Sequence, residues 1–426
     1  MSDLYKIFKQ CNGVSIDTRT LAQGNMFFCF QGERFNGNKF AEQALEKGAE
    51  FVVVDDPDYY SHPQKMILVD DSLKELQKLA SWHREQFKIP VLGITGTNGK
   101  TTTKELIAAV LSVKYKVLFT QGNLNNHIGV PLTLLQLKEH HEIAVIEMGA
   151  NHVGEIAELC EMVKPNYGVL TNIGHAHLEG FGSIENVLLT KKAIYTSVAQ
   201  QEGRVFVNAD DPMLMEESEL LNRTTYGTDS NSDHQVELKI HSFELELLWM
   251  DLLIRTHLFG KYNLSNAAAA IAIGSYFNLN KSEIQLALES YRPNNNRSQI
   301  VKGKHNEIIM DAYNANPDSM KAAIGFFNEL DFERKALVLG DMLEMGAFEE
   351  KEHLKILDSI TRQGFKQVLL VGRAFCQWQG RFPAFSFFVK SEDCLEYLKN
   401  ESFVDYKILL KGSRGIRLEI LKEALL

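Results

Sequence analysis

Short apolar runs alternate along this chain with stretches whose apolar residues recur at helical spacing. One such transition organises the rest. Val91, Leu92 and Ile94 form an apolar run, while Leu106, Val110 and Val113 repeat like a helix face that Ile107 and Leu111 broaden. The run reads as a buried parallel strand and the periodic stretch as an amphipathic helix. They are joined by Thr95-Gly96-Thr97-Asn98-Gly99-Lys100-Thr101-Thr102-Thr103. A strand, a glycine-rich turn and a helix in that order make a phosphate cradle. Glycines admit the anion close to backbone N–H groups, and the helix N-terminus adds partial positive charge. Lys100 is predicted to reach the β- and γ-phosphates and the Thr101 hydroxyl to ligand Mg²⁺. The strict phosphate-loop pattern has glycine where Ile94 stands, so the match is to Gly99-Lys100-Thr101. A plain glycine-rich turn, the alternative, leaves Lys100 and three successive threonines without a task.

The pattern on either side divides the chain at 1–87, 88–293 and 294–426. The first part predicts strands at Met26–Phe30, Phe51–Val54 and Met66–Val69, with helices near Asn38–Lys47 and Ser72–Phe87. Its polar clusters around Ser15–Arg19 and Gln31–Gly37 read equally as solvated loops. The second alternates strands and helices, the pattern of a parallel sheet covered on both faces. Ile143–Ile146 is a strand with Glu147 at its carboxyl end, where ligands of open α/β sheets bind. Gly168–Thr171 is another, followed by His175 and His177, each either structural or a ligand. Small residues at Ala267–Ile273 predict a helix in close backbone packing or in contact with adenine. Residues 228–257 are β-rich without a placeable order. After a linker near Tyr291–Asn294, strands are expected at Glu307–Met310, Ala336–Leu339, Val368–Val371, Phe387–Val389 and Ile408–Leu410. Turns at Asp311–Pro317, Gly340–Glu344 and Lys411–Gly415 predict a second binding face on that sheet edge.

Composition narrows the chemistry. No segment approaches ~18 uninterrupted apolar residues, so no membrane span is expected. Five scattered cysteines without a C-x-x-C pair argue for reduced thiols in the cytoplasm and against a disulfide frame or zinc site. The net charge of −10 disfavours nucleic-acid binding, so anionic substrates must be held by loops, helix ends and metal ions.

These residues resemble the Mur ligase family of bacterial cell-wall synthesis over nearly the whole chain. Thr95 to Thr102 fits the family's T-G-[ST]-x-G-K-T-T loop, in which Gly96, Thr97, Asn98 and Gly99 wrap the nucleotide. Asn123 to Pro131, with Asn125 and Asn126, is similar to its Asn-Asn loop, and Glu147-Met148-Gly149-Ala150 to its metal-binding glutamate. Thr171 to Glu179 resembles its histidine motif, favouring His177 as ligand, and Lys191 ahead of Tyr195 its carbamylated lysine. Asn263, Asn266, Arg297 and Asp311 resemble nucleotide contacts. Ser15 and Asp17-Thr18-Arg19 resemble the UDP-recognition element, while Asn36-Gly37-Asn38 stands where the family has Asp-Gly-His.

The turns D-x-Y-N-A-N-P (with Asn314 and Asn316), Gly340-Asp341-Met342 and Lys411-Gly412-Ser413-Arg414-Gly415 point to the branch that joins D-alanyl-D-alanine to UDP-N-acetylmuramoyl-tripeptide. The resemblance implies a small N-terminal α/β UDP-binding domain, a central phosphate-loop ATPase domain with a parallel sheet, and a C-terminal open α/β, Rossmann-like domain. It implies ATP as co-substrate and Mg²⁺ held by Thr101, Glu147, His177 and Lys191. Lys100, Lys191, His177 and Glu147 are then the catalytic set, with Asp341, Lys411, Ser413 and Arg414 near substrate. A cytoplasmic monomer is expected. Two alternatives stay open: another ATP-dependent amide ligase, such as a diaminopimelate- or lysine-adding enzyme or folylpolyglutamate synthase, or a nucleotide switch. A guanine switch would need N-K-x-D, and Asn280-Lys281-Ser282-Glu283 ends in glutamate.

Overall fold

The computed structural model describes residues 3–32, 35–174, 178–239, 243–401 and 403–426. At its centre the strand Val91–Thr95 lies within a parallel set. The spatial order is Val117–Phe119, Ile143–Glu147, Val91–Thr95, Tyr167–Leu170, Arg204–Asn208 and Arg223–Gly227. Both faces are buried, as the unbroken apolar run predicts. Leu92 and Ile94 pack with Leu106, Ile107 and Val110 of the helix Lys100–Leu111 and with the helix Leu264–Tyr276. Val91 faces the opposite layer with Ile156, Leu159, Ile194 and Val198. Gly93 is small because Met148 presses there; an added Cβ would lie 2.7 Å from its Cε. Every residue of Ala267–Ile273 is fully buried, so close packing, not adenine contact, explains that stretch.

The unplaced region is three antiparallel strands, His234–Lys239, Glu244–Trp249 and Leu252–Phe259, added to the edge of the parallel set. Beyond the coil at residues 291–294 comes Gln299–Lys302, a strand the sequence did not announce. It carries only Ile300 and Val301 between polar residues, and all its positions stay at least partly exposed. Its pairing of Gln299 with Leu258 makes the central and C-terminal sheets one hydrogen-bonded series. The expected C-terminal strands follow as Glu307–Asp311, Lys407–Lys411, Lys335–Gly340, Gln367–Val371 and Ser386–Phe388, paired in parallel in that spatial order. Among the described residues no helix is long and apolar enough to cross a membrane.

The N-terminal part has its own parallel sheet, Val14–Ser15, Met26–Phe28, Phe51–Val54 and Met66–Leu68. Its helix Ser72–Glu85 docks onto the central part through two buried side chains. His83 Nε2 lies 3.0 Å from the Leu137 carbonyl. Arg84 donates to the carbonyls of Val163 at 3.0 Å, Lys164 at 3.3 Å and Phe87 at 2.6 Å, closing the C-terminal end of helix Glu155–Val163. Arg84→Met keeps the stem but orphans those carbonyls. Urea denaturation is expected to show roughly 2–4 kcal/mol of lost stability; an unchanged midpoint would mean water replaces the guanidinium without cost.

Candidate active site

The carboxyl ends of the central and C-terminal strands open onto one cleft of about 1740 Å³. The phosphate loop forms its floor. Gly99, at φ 81°, caps the helix Lys100–Leu111, a left-handed conformation suited to glycine. A side chain at Gly96, φ 146°, would collide with Thr171. The loop is held from the neighbouring strand end. Thr171 Oγ1 donates to the Asn98 carbonyl at 2.6 Å, and Asn172 accepts from Asn98 N at 2.9 Å through Oδ1 and from Thr97 N at 2.9 Å through its carbonyl. Lys100 Nζ donates to the carbonyls of Gly96 at 2.7 Å and Thr97 at 3.0 Å. Burial pushes its amine down to about 8; Glu147 opposes the shift and Arg297 adds to it.

Glu147, the last residue of its strand, is buried beside the loop. Its Oε1 accepts from the Thr101 hydroxyl at 3.1 Å and from Asn125 Nδ2 at 2.7 Å. Among the described residues its Oε2 has no hydrogen-bond partner, and the fully buried Lys104 lies 3.5 Å away. A hydroxyl and a carboxylate with an unpartnered buried oxygen suit a hard cation such as Mg²⁺. Among the described residues no three His, Cys, Asp or Glu side chains gather as a metal cluster. His177, expected as a ligand, and His175 lie outside the described residues.

Lys191 is almost wholly buried, its Nζ 5.5 Å from the Phe181 ring. Burial, reinforced by the like charge of Lys100, holds its amine well below the ordinary lysine range. Lys192 instead faces the cleft, with Nζ 3.2 Å from Glu217 Oε2. Asn126 also lines the cleft, and its Oδ1 accepts from the N–H groups of Ile128 and Gly129 at the start of the helix Gly129–Leu134.

The opposite wall comes from the linker and the C-terminal part. Asn266 Nδ2 donates to Asn263 Oδ1 at 2.8 Å, and Asn263 Nδ2 to Ser298 Oγ at 2.9 Å, so these asparagines brace the wall they line. Left-handed Asn296 (φ 56°) and Ser298 (φ 49°) flank Arg297, whose guanidinium lies 3.6 Å from the centre of the Tyr313 ring. Arg414 approaches the same ring at 5.5 Å. Asp311 accepts from Lys411 Nζ at 2.5 Å and from Ser298 N at 3.1 Å. Ser413 Oγ accepts from Leu343 N, and Asn314 Oδ1 from Ala315 N. Asn316 crosses the cleft, donating from Nδ2 to Asn98 Oδ1 at 2.7 Å.

Lys191 does not line this cleft, and two further expected groups lie apart from it. Asp341 does not line it: its carboxylate caps the helix Arg373–Cys376, accepting from Ala374 N at 2.9 Å and Phe375 N at 3.0 Å, which makes it a support for the turn. Ser15, Asp17, Thr18 and Arg19 sit at the edge of the N-terminal sheet. There Ser15 Oγ donates to the Asp17 carbonyl and Thr18 Oγ1 to Gln43. Arg19 grips Asp17 through Nε and a terminal nitrogen and brings its carboxyl to about 2. Sequence reasoning gave no separate role to Thr171 and Asn172, which brace the phosphate loop, nor to Lys104 or Tyr313. For Thr171 and Asn172, a polar pair at the end of a strand neighbouring the loop was the available signal.

Family models match this chain in three segments. Residues 10–84 match the Mur ligase family, catalytic domain; 94–274 the Mur ligase middle domain; and 296–384 the Mur ligase, glutamate ligase domain. A UDP-N-acetylmuramoyl-tripeptide–D-alanyl-D-alanine ligase of Bacillus subtilis (strain 168) is 37% identical, covering 96% of this chain and 92% of its own length. The chain belongs to the Mur ligase family. Solved structures agree with this Mur ligase along its length. MurF from Acinetobacter baumannii superposes with a TM-score of 0.88 at 27% identity, covering 99% of this chain and 97% of that one. MurF from Thermotoga maritima in complex with ADP gives 0.85 at 26% identity, covering 100% and 98%. The three-domain α/β architecture expected from the sequence is therefore that of the family.

Proposed function

We propose that this Mur ligase joins D-alanyl-D-alanine to UDP-N-acetylmuramoyl-tripeptide at the expense of ATP, a step of peptidoglycan precursor synthesis. The observation that carries the reading is the facing of two strand-end sets across one cleft. Lys100, Thr101 and Glu147 stand on one side, and Asp311, Asn316, Lys411 and Arg414 on the other. Relatives named for this reaction support it, and the ADP complex of the Thermotoga maritima protein supports ATP as co-substrate.

The chemistry needs activation because a carboxylate oxygen leaves badly. Attack of the peptide carboxylate on the γ-phosphorus gives an acyl phosphate, and the amine then displaces phosphate. Lys100 supplies positive charge to the transferring phosphoryl group, and the loop N–H groups orient it. Thr101 and Glu147, with His177 and a carbamate on Lys191, would hold Mg²⁺. When bound, that ion offsets the repulsion between two anionic substrates. Asn263, Asn266, Arg297 and Asp311 shape the nucleotide side, and Ser15 to Arg19 hold the UDP end. In this reading the enzyme works as a monomer, its cleft being built from one chain, and in the cytoplasm, where ATP is supplied.

The test is ADP release from ATP with UDP-N-acetylmuramoyl-tripeptide, with and without D-alanyl-D-alanine. Release that ignores the dipeptide, or that prefers diaminopimelate or lysine as the amine, would overturn the reading. A second expectation concerns shape. The reading draws contacts from all three domains, and Asn316 already bonds Asn98 across the cleft. X-ray scattering should show compaction when ATP and peptide substrate both bind, and an unchanged radius of gyration at saturation counts against closure.

A further inference from the structure

The loop after Glu147 carries two groups that the reaction so far leaves without a task, His152 and Glu155, and both line the cleft. Glu155 opens the helix Glu155–Val163. Its Oε2 accepts from the backbone N–H of Asn151 at 2.6 Å and of His152 at 3.0 Å. That grip turns Oε1 toward the imidazole, 3.5 Å from His152 Nδ1. Burial alone would push the Glu155 carboxyl up, but those N–H groups and the ring hold it below its ordinary value. An exposed pair of this spacing contributes little stability. Here, however, the carboxylate is fixed by two donors while the ring is 70% exposed, with Nε2 on the side away from Glu155.

Two contacts hold the loop of this pair, one against Asn125 beside Glu147 and one against the helix that ends at Phe181, whose ring lies 5.5 Å from Lys191 Nζ. Gly149 N donates to the Asn125 carbonyl at 2.7 Å, which pins the start of the loop against the residue that holds Glu147. The helix Leu178–Phe181 closes over the loop so tightly that a Cβ on Gly180 would collide with the Asn151 carbonyl and come within 3.3 Å of His152 Cδ2.

The second half of the reaction needs such a group. D-alanyl-D-alanine arrives as an ammonium, whose nitrogen has no lone pair to attack with. We propose that His152, oriented by Glu155, is the base that takes a proton from the incoming amine. The inference rests on the ligase reading above. The ammonium passes one proton to His152 Nε2, and its nitrogen forms the C–N bond with the acyl carbon. The C–O bond to phosphate breaks with its electron pair on the leaving oxygen. The second nitrogen proton goes to that phosphate, so an acyl phosphate, an ammonium and a neutral imidazole become an amide, hydrogen phosphate and an imidazolium. Glu155 compensates the charge the ring acquires, and the open face of the ring returns the proton to solvent.

The test separates activation from amine attack. Acyl phosphate is trapped with borohydride, and product formation is compared for D-alanyl-D-alanine and for hydroxylamine, whose nitrogen is already unprotonated at neutral pH. In His152→Gln the acyl phosphate and the hydroxamate should form at wild-type rates while ligation of the dipeptide falls at least about a hundredfold. Glu155→Gln should show the same pattern more mildly. Full dipeptide ligation by His152→Gln overturns the proposal. So does an equal loss with both nucleophiles, confirmed in His152→Asn. Wild-type enzyme that forms no acyl phosphate overturns the ligase reading itself.

Discussion

Lys100→Ala is expected to lose ligation by at least about a hundredfold, the scale for removing a single charge-stabilising donor from a transition state. The fold should survive. Among the described residues Lys100 bonds two carbonyls of its own loop, and that loop is independently held by Thr171 and Asn172. Thr101→Ala removes a hydroxyl that now meets Glu147 and should be comparably inactive. ADP formation reads the loss, and thermal unfolding of the same samples separates it from misfolding. Wild-type-like turnover by either variant would remove the nucleotide assignment.

The sequence made the strands legible where burial on both faces leaves an unbroken apolar run, as at Val91–Thr95 and Ile143–Glu147. It was silent where a strand is half-exposed. Gln299–Lys302 has too few apolar residues to stand out, yet it joins the two large sheets. The phosphate loop was readable because its chemistry is local: glycines, a lysine and a helix start within a few residues. Contacts between distant segments were not. Asn316 meeting Asn98, or Arg297 stacking on Tyr313, follow from how the C-terminal sheet lies against the central one. Asp341 shows the converse. A polar turn at a strand end was read as a substrate contact, and the structure gives that carboxylate to the helix Arg373–Cys376 that follows the neighbouring strand. Strand-end position identifies residues near a binding face without saying which of them turn inward.

Lys191→Ala is expected to be nearly inactive, while Lys192→Ala is mild. The two neighbours have opposite surroundings. Lys192 lines the cleft and reaches Glu217 in an ordinary part-exposed ion pair. Lys191 is almost wholly buried, with Lys100 as a like charge and its amine held well below the usual lysine range. An ammonium there would repel both Lys100 and Mg²⁺. Unit charges ~4 Å apart repel by roughly 4 kcal/mol at an effective dielectric of ~20. A carbamate reverses that sign. It forms from a neutral amine and CO₂, and a cationic site favours both the neutral amine and the anionic product. We infer that Lys191 carries this group, as the family resemblance implies. Steady-state ligation by both variants provides the measurement, and a short-chain carboxylic acid in the assay should partly restore Lys191→Ala by taking the carbamate's place. Normal turnover by Lys191→Ala together with an inactive Lys192→Ala would shift the assignment by one residue, to the lysine that faces the cleft.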